Sequence, residues 1–252
     1  MSSMVQIKQA DEMQAWALAR RQNGVRIGLV PTMGYLHAGH LSLVAEARKR
    51  ADIVVVSIFV NPVQFGPNED FEKYPRDEAR DLDQCERAGA SAVFFPSVAT
   101  MYAPDASVFV TEERLSAGLC GARRPGHFRG VCTVVAKLFN LAQPHVAVFG
   151  QKDYQQAAII RRMVRDLNFP IEIVVAPIVR EPDGLAMSSR NVYLSADERQ
   201  RALGLSRALQ AAAACVAQGS APAADVRVRM VEVIEAHALQ LDYAEIVDAE
   251  SL

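Results

Sequence analysis

The segment spanning residues 27–40 constrains the fold of this sequence more than any other. It opens with the apolar run Ile27–Val30, turns through Gly34 and Gly39, and continues as a helical pattern from Leu41. A buried strand that enters a helix through a glycine-rich turn forms an anion site, because unpaired backbone N–H groups and the helix dipole both face the ligand. The segment therefore predicts a strand–turn–helix unit that binds a negatively charged group.

The residues around this unit extend it into an alternating α/β domain. A helix over Leu41–Arg50 lies between a strand over Arg26–Val30 and the β-branched run Asp52–Val60, and this order implies parallel strands with a right-handed crossover. The pattern further predicts helices over Gln9–Arg21, Arg76–Ala88, Val131–Leu141 and Gln155–Asn168, strands over Ser91–Phe95, His145–Phe149 and Ile171–Val179, a short extended segment over Val108–Val110, and a loop over Gly118–Gly130. The predicted fold class is α/β, a Rossmann-like parallel sheet with helices on both faces over residues 1–179.

The pattern changes beyond residue 179 and predicts a smaller domain over residues 180–252. A polar loop, Arg180–Arg190, leads into two helical stretches, Ala196–Ala217 and Ala223–Leu239. One further strand is predicted over Tyr243–Val247, although a lone strand is not stable by itself. We interpret this part of the chain as a lid-like C-terminal α+β domain.

The composition argues against several classes of protein. Half of the 252 residues are hydrophobic, which is enough for a sizeable core. The net charge of -2 gives no general attraction to nucleic acids or anionic membranes, and the N-terminal residues contain no apolar signal segment. The 4 cysteines are scattered without CxxC spacing, which indicates reduced thiols. We therefore expect a cytoplasmic protein that binds neither nucleic acid nor membrane.

Two histidines, His37 and His40, fall in the turn and the first helical residues of the opening segment. Their i, i+3 spacing lets them share one face of a helix, and an imidazole can donate a hydrogen bond to charge that develops on a phosphate. Two other interpretations stay open at this point, namely polar loop residues and half of a metal site. Against the metal site, no HExxH motif or cysteine cluster supplies further ligands.

Other candidate site residues follow later strands. Lys152 comes just after a predicted strand, where its charge can reach a phosphate, and Asp153 either caps the next helix or accepts from a ribose hydroxyl. Asn61 and Gln64 carry amides that suit a small substrate with a carboxylate and hydroxyls, although Asn before Pro also opens turns. The segment Met187–Arg190 offers two hydroxyls and a guanidinium, which form either an anion clamp or an exposed interdomain loop.

Several motifs resemble those of a known family. HAGH resembles the HxGH signature of the nucleotidylyltransferase superfamily, whose members cleave a nucleoside triphosphate between its α- and β-phosphates. The longer string PTMGYLHAGH, followed in order by NPVQF, HFRGV, GQKDYQQ and MSSRN, is similar to the pantoate–β-alanine ligase family. The resemblance spans nearly the whole chain, and the ordered set of motifs is far more specific than any one of them.

The resemblance implies roles for individual residues. The implied catalytic residues are His37, His40, Lys152 and Arg190. The implied ATP-binding residues are Met33, Gly34, His37, His40, Gly150, Lys152, Asp153, Val179, Met187, Ser188, Ser189 and Arg190. The implied residues for pantoate and β-alanine are Asn61, Gln64 and Gln156, and no metal ligand is expected from the protein. Gln151 stands where the family has glutamate, so no role for that carboxylate is carried over, and His127–Gly130 is assigned to the architecture of the site.

The implied activity is the ATP-dependent condensation of pantoate with β-alanine, which makes the chain a ligase that forms a C–N bond. The family proceeds through a pantoyl-adenylate intermediate and releases pyrophosphate and then AMP. ATP is a substrate, and Mg²⁺ is expected because it neutralises the leaving pyrophosphate. The resemblance also implies a homodimer. Because the family continues with more strand, we expect the C-terminal domain of this sequence to be incomplete.

Three alternative functions compete with this interpretation. Another HxGH nucleotidylyltransferase would transfer the nucleotide onto a phosphate and stop there, and NPVQF together with the paired Gln155 and Gln156 argues against it. A class I aminoacyl-tRNA synthetase would carry a basic anticodon-binding module, which the sequence does not contain. A catalytically silent nucleotide-binding regulator would bind ATP without turnover, and the intact histidines, lysine and arginine favour an enzyme.

Overall fold

The computed structural model describes residues 4–219 and 221–252 of the chain. The chain forms two compact units, one ending at Ile178 and the other starting at Val179. In these residues, every helix is too short or too polar to cross a membrane.

A parallel sheet organises the first unit. Its strands within the described residues are β1 (Val5–Ile7), β2 (Ile27–Thr32), β3 (Ile53–Ile58), β4 (Ala92–Phe94), β5 (Val146–Gly150) and β6 (Glu172–Ala176). Their order across the sheet is β1-β4-β3-β2-β5-β6, and every neighbouring pair is parallel. The parallel α/β sheet predicted from the sequence is therefore confirmed.

The helices of the first unit cover both faces of this sheet. They are α1 (Ala10–Gln22), α2 (Ala38–Arg48), α3 (Glu78–Ala88), α4 (Val98–Met101), α5 (Leu119–Arg123), α6 (His127–Ala142) and α7 (Tyr154–Asp166). The connections through α1, α6 and α7 run in one direction along the sheet, and those through α2 and α3 run in the other. Right-handed crossovers then place the two groups on opposite faces, and α6 indeed packs on α1 and α7 while α2 packs on α3.

The change of direction occurs between β2 and β5, which are neighbours in the sheet. The chain leaves β2 towards the face of α2 and leaves β5 towards the face of α7. In open α/β sheets, ligands bind in the crevice at the carboxyl ends of two such strands. The two loops that follow β2 and β5 therefore meet where the fold favours a binding site.

The central strands agree with the sequence because they are buried on both sides. All of Ile27–Val30 and Val54–Ile58 are buried, so β-branched and apolar residues recur there without alternation. The predictions for the first unit are incomplete in two respects. β1 and α4 were not predicted, and the loop predicted over Gly118–Gly130 contains α5 and the first turn of α6. Residues 108–110, predicted as a short extended segment, lie outside the strands of the sheet.

The second unit contains the 3₁₀ segment Ser189–Tyr193 and the helices α8 (Ala196–Ala217) and α9 (Ala223–Ala236). The two helices pack together around Ala208, Met230 and Ile234. The strand predicted over Tyr243–Val247 is wrong, since these residues have no strand partner and contribute only the buried Ala244 to this small core. A β-bridge in the second unit joins Arg180 to Ala186.

Candidate active site

The turn after β2 places His37 and His40 side by side at the start of α2. His37 is the N-cap, and its Nδ1 atom accepts from the Gly39 N–H at 3.1 Å. The Nδ1 atom of His40 accepts from the His37 N–H at 3.3 Å, and the two ring centroids lie 4.0 Å apart. This reciprocal capping explains the HxxH spacing structurally, because each ring satisfies an N–H group that the helix leaves unpaired.

The capping also determines which ring nitrogens carry protons. Since Nδ1 accepts a hydrogen bond in both His37 and His40, the neutral rings carry their protons on Nε2. Burial, the neighbouring His37 ring and the Lys152 ammonium lower the pKa of His40 to about 3. His40 is therefore a neutral N–H donor near pH 7, and Lys152 supplies the positive charge beside it.

Four backbone N–H groups of this turn form hydrogen bonds within the chain, whereas the sequence predicted unpaired donors. The Gly34 N–H donates to Thr32 Oγ1 at 3.2 Å, and the N–H groups of Tyr35 and Leu36 each donate to Asp81 at 2.7 Å. The His37 N–H is also paired. The side chains of the histidines and the helix dipole of α2 therefore contribute to attracting an anion at this turn.

Asp81 is a site residue that the sequence reasoning missed. It lies on α3, is 1% exposed, and holds the turn through both of its carboxylate oxygens. Burial raises the pKa of the Asp81 carboxyl, and the bonds from Leu36 and Tyr35 oppose that rise. A signal existed in the sequence, because Asp81 precedes the buried Cys85 by one helical turn and so is a charged residue on the apolar face of α3.

Asn61 and Gln64 follow β3 and are joined by a hydrogen bond. Asn61 is 1% exposed, and its Nδ2 donates to Gln64 Oε1 and to the Gly130 carbonyl, each at 3.1 Å. Its Oδ1 accepts from Tyr102 Oη at 2.8 Å and from the Val63 N–H at 3.3 Å. The amide of Asn61 has thus used its two donors and two acceptor positions, which favours the turn role that was left open above.

Gln64 is the partly buried member of this pair, and its amide orientation is fixed by Asn61. Its Nε2 reaches the sulfur of Met33 at 3.3 Å, which connects the loop after β3 with the turn after β2. Since Oε1 faces Asn61, the NH₂ group is the part of Gln64 that a bound acid would meet.

The start of α6 supports the loop that carries Gln64. His127 Nδ1 donates to the Gln64 carbonyl at 2.9 Å, and its Nε2 accepts from Arg124 at 3.1 Å. Arg124 also makes a two-point contact with Glu69, at 2.7 and 2.5 Å. Burial lowers the pKa of His127, so the ring is neutral and acts as a relay of hydrogen bonds. The assignment of this motif to the architecture of the site thus has a structural basis.

Lys152, Asp153 and Gln156 lie on the segment that follows β5, and Lys152 is close enough to His40 to influence its pKa. Lys152 and Asp153 lie on a 3₁₀ turn, their charged groups are 3.7 Å apart, and both side chains are exposed. Asp153 makes no side-chain cap for α7, which argues against the alternative that it serves only as a cap. Gln156 is half-buried in the first turn of α7.

Gln155, next to Gln156, has a purely structural arrangement. It is buried, donates to the carbonyls of Leu115 and Gly118 at 2.8 and 2.9 Å, and accepts from the Cys120 N–H at 3.0 Å. Gln155 therefore braces the Leu115–Cys120 loop, whereas Gln156 is the member of the pair that keeps the predicted substrate role.

The remaining predicted ATP-binding residues belong to the second unit. Their loop is held in shape by its own contacts: the Met187 N–H donates to the Val179 carbonyl at 3.0 Å, and Ser188 Oγ accepts from the Arg190 N–H at 3.2 Å. Ser189 is buried. Glu181 anchors the far side of this loop, because it accepts from Asn191 at 3.0 Å and from Arg199 at 2.7 Å.

The crevice of the first unit has the chemistry of an anion site. It combines a neutral imidazole, a second imidazole and a lysine ammonium with amide donors on the neighbouring loop. The described residues contain no group of three or more His, Cys, Asp or Glu side chains that could hold a metal ion.

Comparisons with known proteins agree with this arrangement. The sequence profile of the pantoate-beta-alanine ligase family matches residues 5–252. Pantothenate synthetase from Thermotoga petrophila is 55% identical over 247 residues, which are 98% of this chain and 88% of that protein. The enzyme of the same name from Anaeromyxobacter dehalogenans is 59% identical over 246 residues, which are 95% of this chain and 85% of that protein.

Solved structures give the same result. The pantothenate synthetase of Thermus thermophilus matches with a TM-score of 0.94 and 49% identity, covering 99% of this chain and 89% of that one. A pantoate-beta-alanine ligase from Francisella tularensis, solved in complex with beta-gamma ATP and beta-alanine, matches with a TM-score of 0.79 and 31% identity, covering 92% and 86% of the two chains. Together with the histidine–lysine crevice at the β2/β5 switch point, these matches show that the chain belongs to the pantoate–β-alanine ligase family.

Proposed function

We propose that this ligase activates pantoate by adenylation in the crevice between β2 and β5 and then transfers the pantoyl group to β-alanine. A carboxylate is a poor electrophile because its charge repels an amine. Attack of the pantoate carboxylate on the α-phosphorus of ATP releases pyrophosphate and forms pantoyl adenylate. The amine of β-alanine then attacks the acyl carbon, a C–N bond forms, and AMP leaves. The Francisella tularensis ligase was solved in complex with beta-gamma ATP and beta-alanine. That complex supports ATP as the nucleotide substrate and β-alanine as the nucleophile of the second step.

The observation that carries this proposal is the proximity of Lys152 to His40, which together with His37 caps the start of α2. These residues lie where the chain direction reverses between β2 and β5. Negative charge grows on the phosphate oxygens during adenylation, so fixed donors at this place favour the transition state. His37 and His40 would each donate through Nε2, and Lys152 would add charge. Ser188, Ser189 and Arg190, in a motif shared with the family, are proposed to bind ATP.

The pantoate side of the site is built from neutral amides. Gln64 presents its NH₂ group, and Gln156 stands on the first turn of α7. A carboxylate paired with arginine would be less nucleophilic, because an ion pair stabilises its charge before attack. Amide donors can orient the acid and leave one oxygen free to attack. Asn61 is proposed to fix the orientation of Gln64 rather than to bind the substrate.

Magnesium enters this proposal only as part of the nucleotide. The described residues offer no cluster of three potential ligands, so a metal cage made by the protein does not fit them. Mg²⁺ binds readily to phosphates and water with few protein ligands, and it would neutralise the leaving pyrophosphate. No step of the mechanism is assigned to a metal held by the protein.

The rival within the superfamily is an enzyme that stops after nucleotide transfer. An assay of AMP released from ATP separates the two, with pantoate and β-alanine added singly and together. We expect pyrophosphate with pantoate alone, and AMP at turnover rates only when β-alanine is also present. AMP release independent of β-alanine would contradict the ligase. The resemblance also supports a cytoplasmic homodimer. Size-exclusion chromatography with light scattering tests the oligomeric state.

A further inference from the structure

The turn between β2 and the catalytic histidines has an unusual backbone. Gly34 has φ 86° and Tyr35 has φ 48°, so two successive residues adopt the left-handed conformation. For tyrosine this conformation is unfavourable and persists only when surrounding contacts hold it. Just four residues, 33–36, separate the end of β2 from the N-cap His37, so the shape of this turn determines where His37 stands.

Helix α3 holds this turn from one side. The two oxygens of Asp81 accept from the N–H groups of Tyr35 and Leu36, both at 2.7 Å. Arg80 donates to the Leu36 carbonyl at 3.0 Å, and its guanidinium lies 4.8 Å from the centre of the Tyr35 ring. A Cβ on Gly34 would lie 3.0 Å from Asp81 Oδ2, which shows how closely the turn fits the carboxylate.

The burial of Asp81 is costly for a residue with only a packing role. A carboxylate that is 1% exposed loses its hydration, and apolar residues would fill the same space at lower cost. Its two short, charge-assisted hydrogen bonds both go to the turn. The hydrogen bonds of Asp81 therefore indicate that its buried carboxylate stabilises the turn.

We propose that Asp81 is a positioning residue for adenylation, which acts by holding the Tyr35–Leu36 peptide so that the rings of His37 and His40 face the reacting phosphate. The proposal deepens the function proposed above and rests on it. A displacement of about 1 Å at a catalytic group can lower a rate by about a hundredfold. The effect should fall on the chemical step more than on the binding of ATP, because the ring donors act chiefly on the transition state.

The test is Asp81→Asn, measured by single-turnover formation of pantoyl adenylate. Asparagine keeps the size of the side chain but turns an NH₂ group towards one of the two N–H groups of the turn. We expect the rate to fall by about tenfold to a hundredfold, with a much smaller change in KM for ATP. Cys85→Ser is the matched control, because it places a hydroxyl in the apolar core one turn later on α3 and leaves both acceptors of the turn intact.

A double-variant cycle shows whether Asp81 acts through the histidine. In a His37→Ala background, Asp81→Asn should cost clearly less than in the native protein, because His40 is then the only ring left for the turn to position. An equal loss in both backgrounds, or a loss no larger than that of Cys85→Ser at equal thermal stability, would overturn the positioning role. If Asp81→Asn does not fold, Asp81→Ser replaces it, because a neutral hydroxyl removes the buried charge.

The cycle also separates this proposal from the proposed function. A normal adenylation rate in His37→Ala alone would remove the histidine from the mechanism, whatever Asp81 does. A slow His37→Ala variant with a fully additive Asp81→Asn effect would leave the histidine assignment intact and refute only the role of Asp81.

Discussion

His37 combines two roles in one side chain, because its Nδ1 caps α2 and its Nε2 is the proposed phosphate donor. The alternative that the histidines are ordinary polar residues of a turn is therefore partly correct and does not compete with catalysis. The capping bond sets the orientation of the ring, and a ring with a fixed orientation donates without reorganising during the reaction. Separating the two roles requires a substitution that keeps the cap.

The pair His37→Ala and His37→Asn provides that separation. Asparagine is a preferred N-cap residue, so His37→Ala should lower the free energy of unfolding by about 1 kcal/mol while His37→Asn should not. Both variants should slow adenylate formation by about a hundredfold, because both lose the donor. Stopped-flow or quench-flow measurement of pyrophosphate release gives the rate. A normal rate in His37→Asn would show that the cap alone matters.

The lowered pKa of His40 gives a prediction for stability against pH. In the folded state the pKa is about 3, below the ordinary histidine value of 6.5, so the unfolded chain binds more protons between these values. Stability therefore rises with pH across this window, and acidification from about pH 7 to about pH 5 should cost about 2 kcal/mol through this one group.

The control for this prediction is His40→Gln, which cannot titrate. His127 and His145 also have lowered pKa values, but they are present in both proteins and their contributions cancel. Urea unfolding at several pH values should show a smaller loss of stability on acidification in the variant. Parallel curves for the two proteins would mean that His40 is not held neutral.

At the scale of elements, the site depends on how α6 approaches the loop after β3. A Cβ added to Gly130 would lie 2.5 Å from the Val63 carbonyl oxygen and 2.6 Å from the Gln64 nitrogen, which are backbone atoms that cannot move alone. The Gly130 carbonyl also accepts from Asn61. This glycine thus lets the start of α6 touch the turn that carries Gln64, the proposed pantoate ligand.

We predict that Gly130→Ala lowers the free energy of unfolding by about 2 kcal/mol, because the overlap forces helix and loop apart. It should also raise KM for pantoate more than KM for ATP, since Gln64 moves and the histidines do not. Gly118→Ala is the matched control, because no heavy atom comes within 4 Å of its added Cβ and its φ of -99° suits alanine. Similar behaviour of the two variants would contradict this account of the loop.

The elements show which parts of the structure the sequence could reveal. Strands β2, β3 and β5 are central and buried, so their apolar runs were sufficient to predict them from the sequence. The glycines after β2 indicated the turn. The helical content of residues 118–130 was hidden because glycine and proline lower helix propensity there, and tertiary contacts decide the outcome. The strand predicted over 243–247 failed because an extended pattern does not supply a partner.

The site itself was only partly predictable for a related reason. Motifs identified the candidate residues, and His37, His40, Gln64 and Lys152 do lie on the loops that follow β2, β3 and β5. Residues that hold these groups have no local signature, because their partners are distant in the sequence. Asp81 contacts Leu36 across 45 positions, and Asn61 contacts Gly130 across 69.

For the whole molecule, the first unit carries His37, His40, Gln64 and Lys152 on the loops that follow its parallel strands. The adenylation chemistry is proposed for these donors. The family membership is shown by profile, sequence and fold together, and each of these covers most of the chain.

The most direct test of the central claim follows one oxygen atom. Pantoate labelled with ¹⁸O in its carboxylate is incubated with ATP, β-alanine and the enzyme, and the nucleotide products are analysed by mass spectrometry. If the carboxylate attacks the α-phosphorus, one labelled oxygen remains on the phosphate of AMP when the amine displaces it, and none enters pyrophosphate. Unlabelled AMP, or label recovered in inorganic phosphate beside ADP, would contradict a pantoyl-adenylate intermediate.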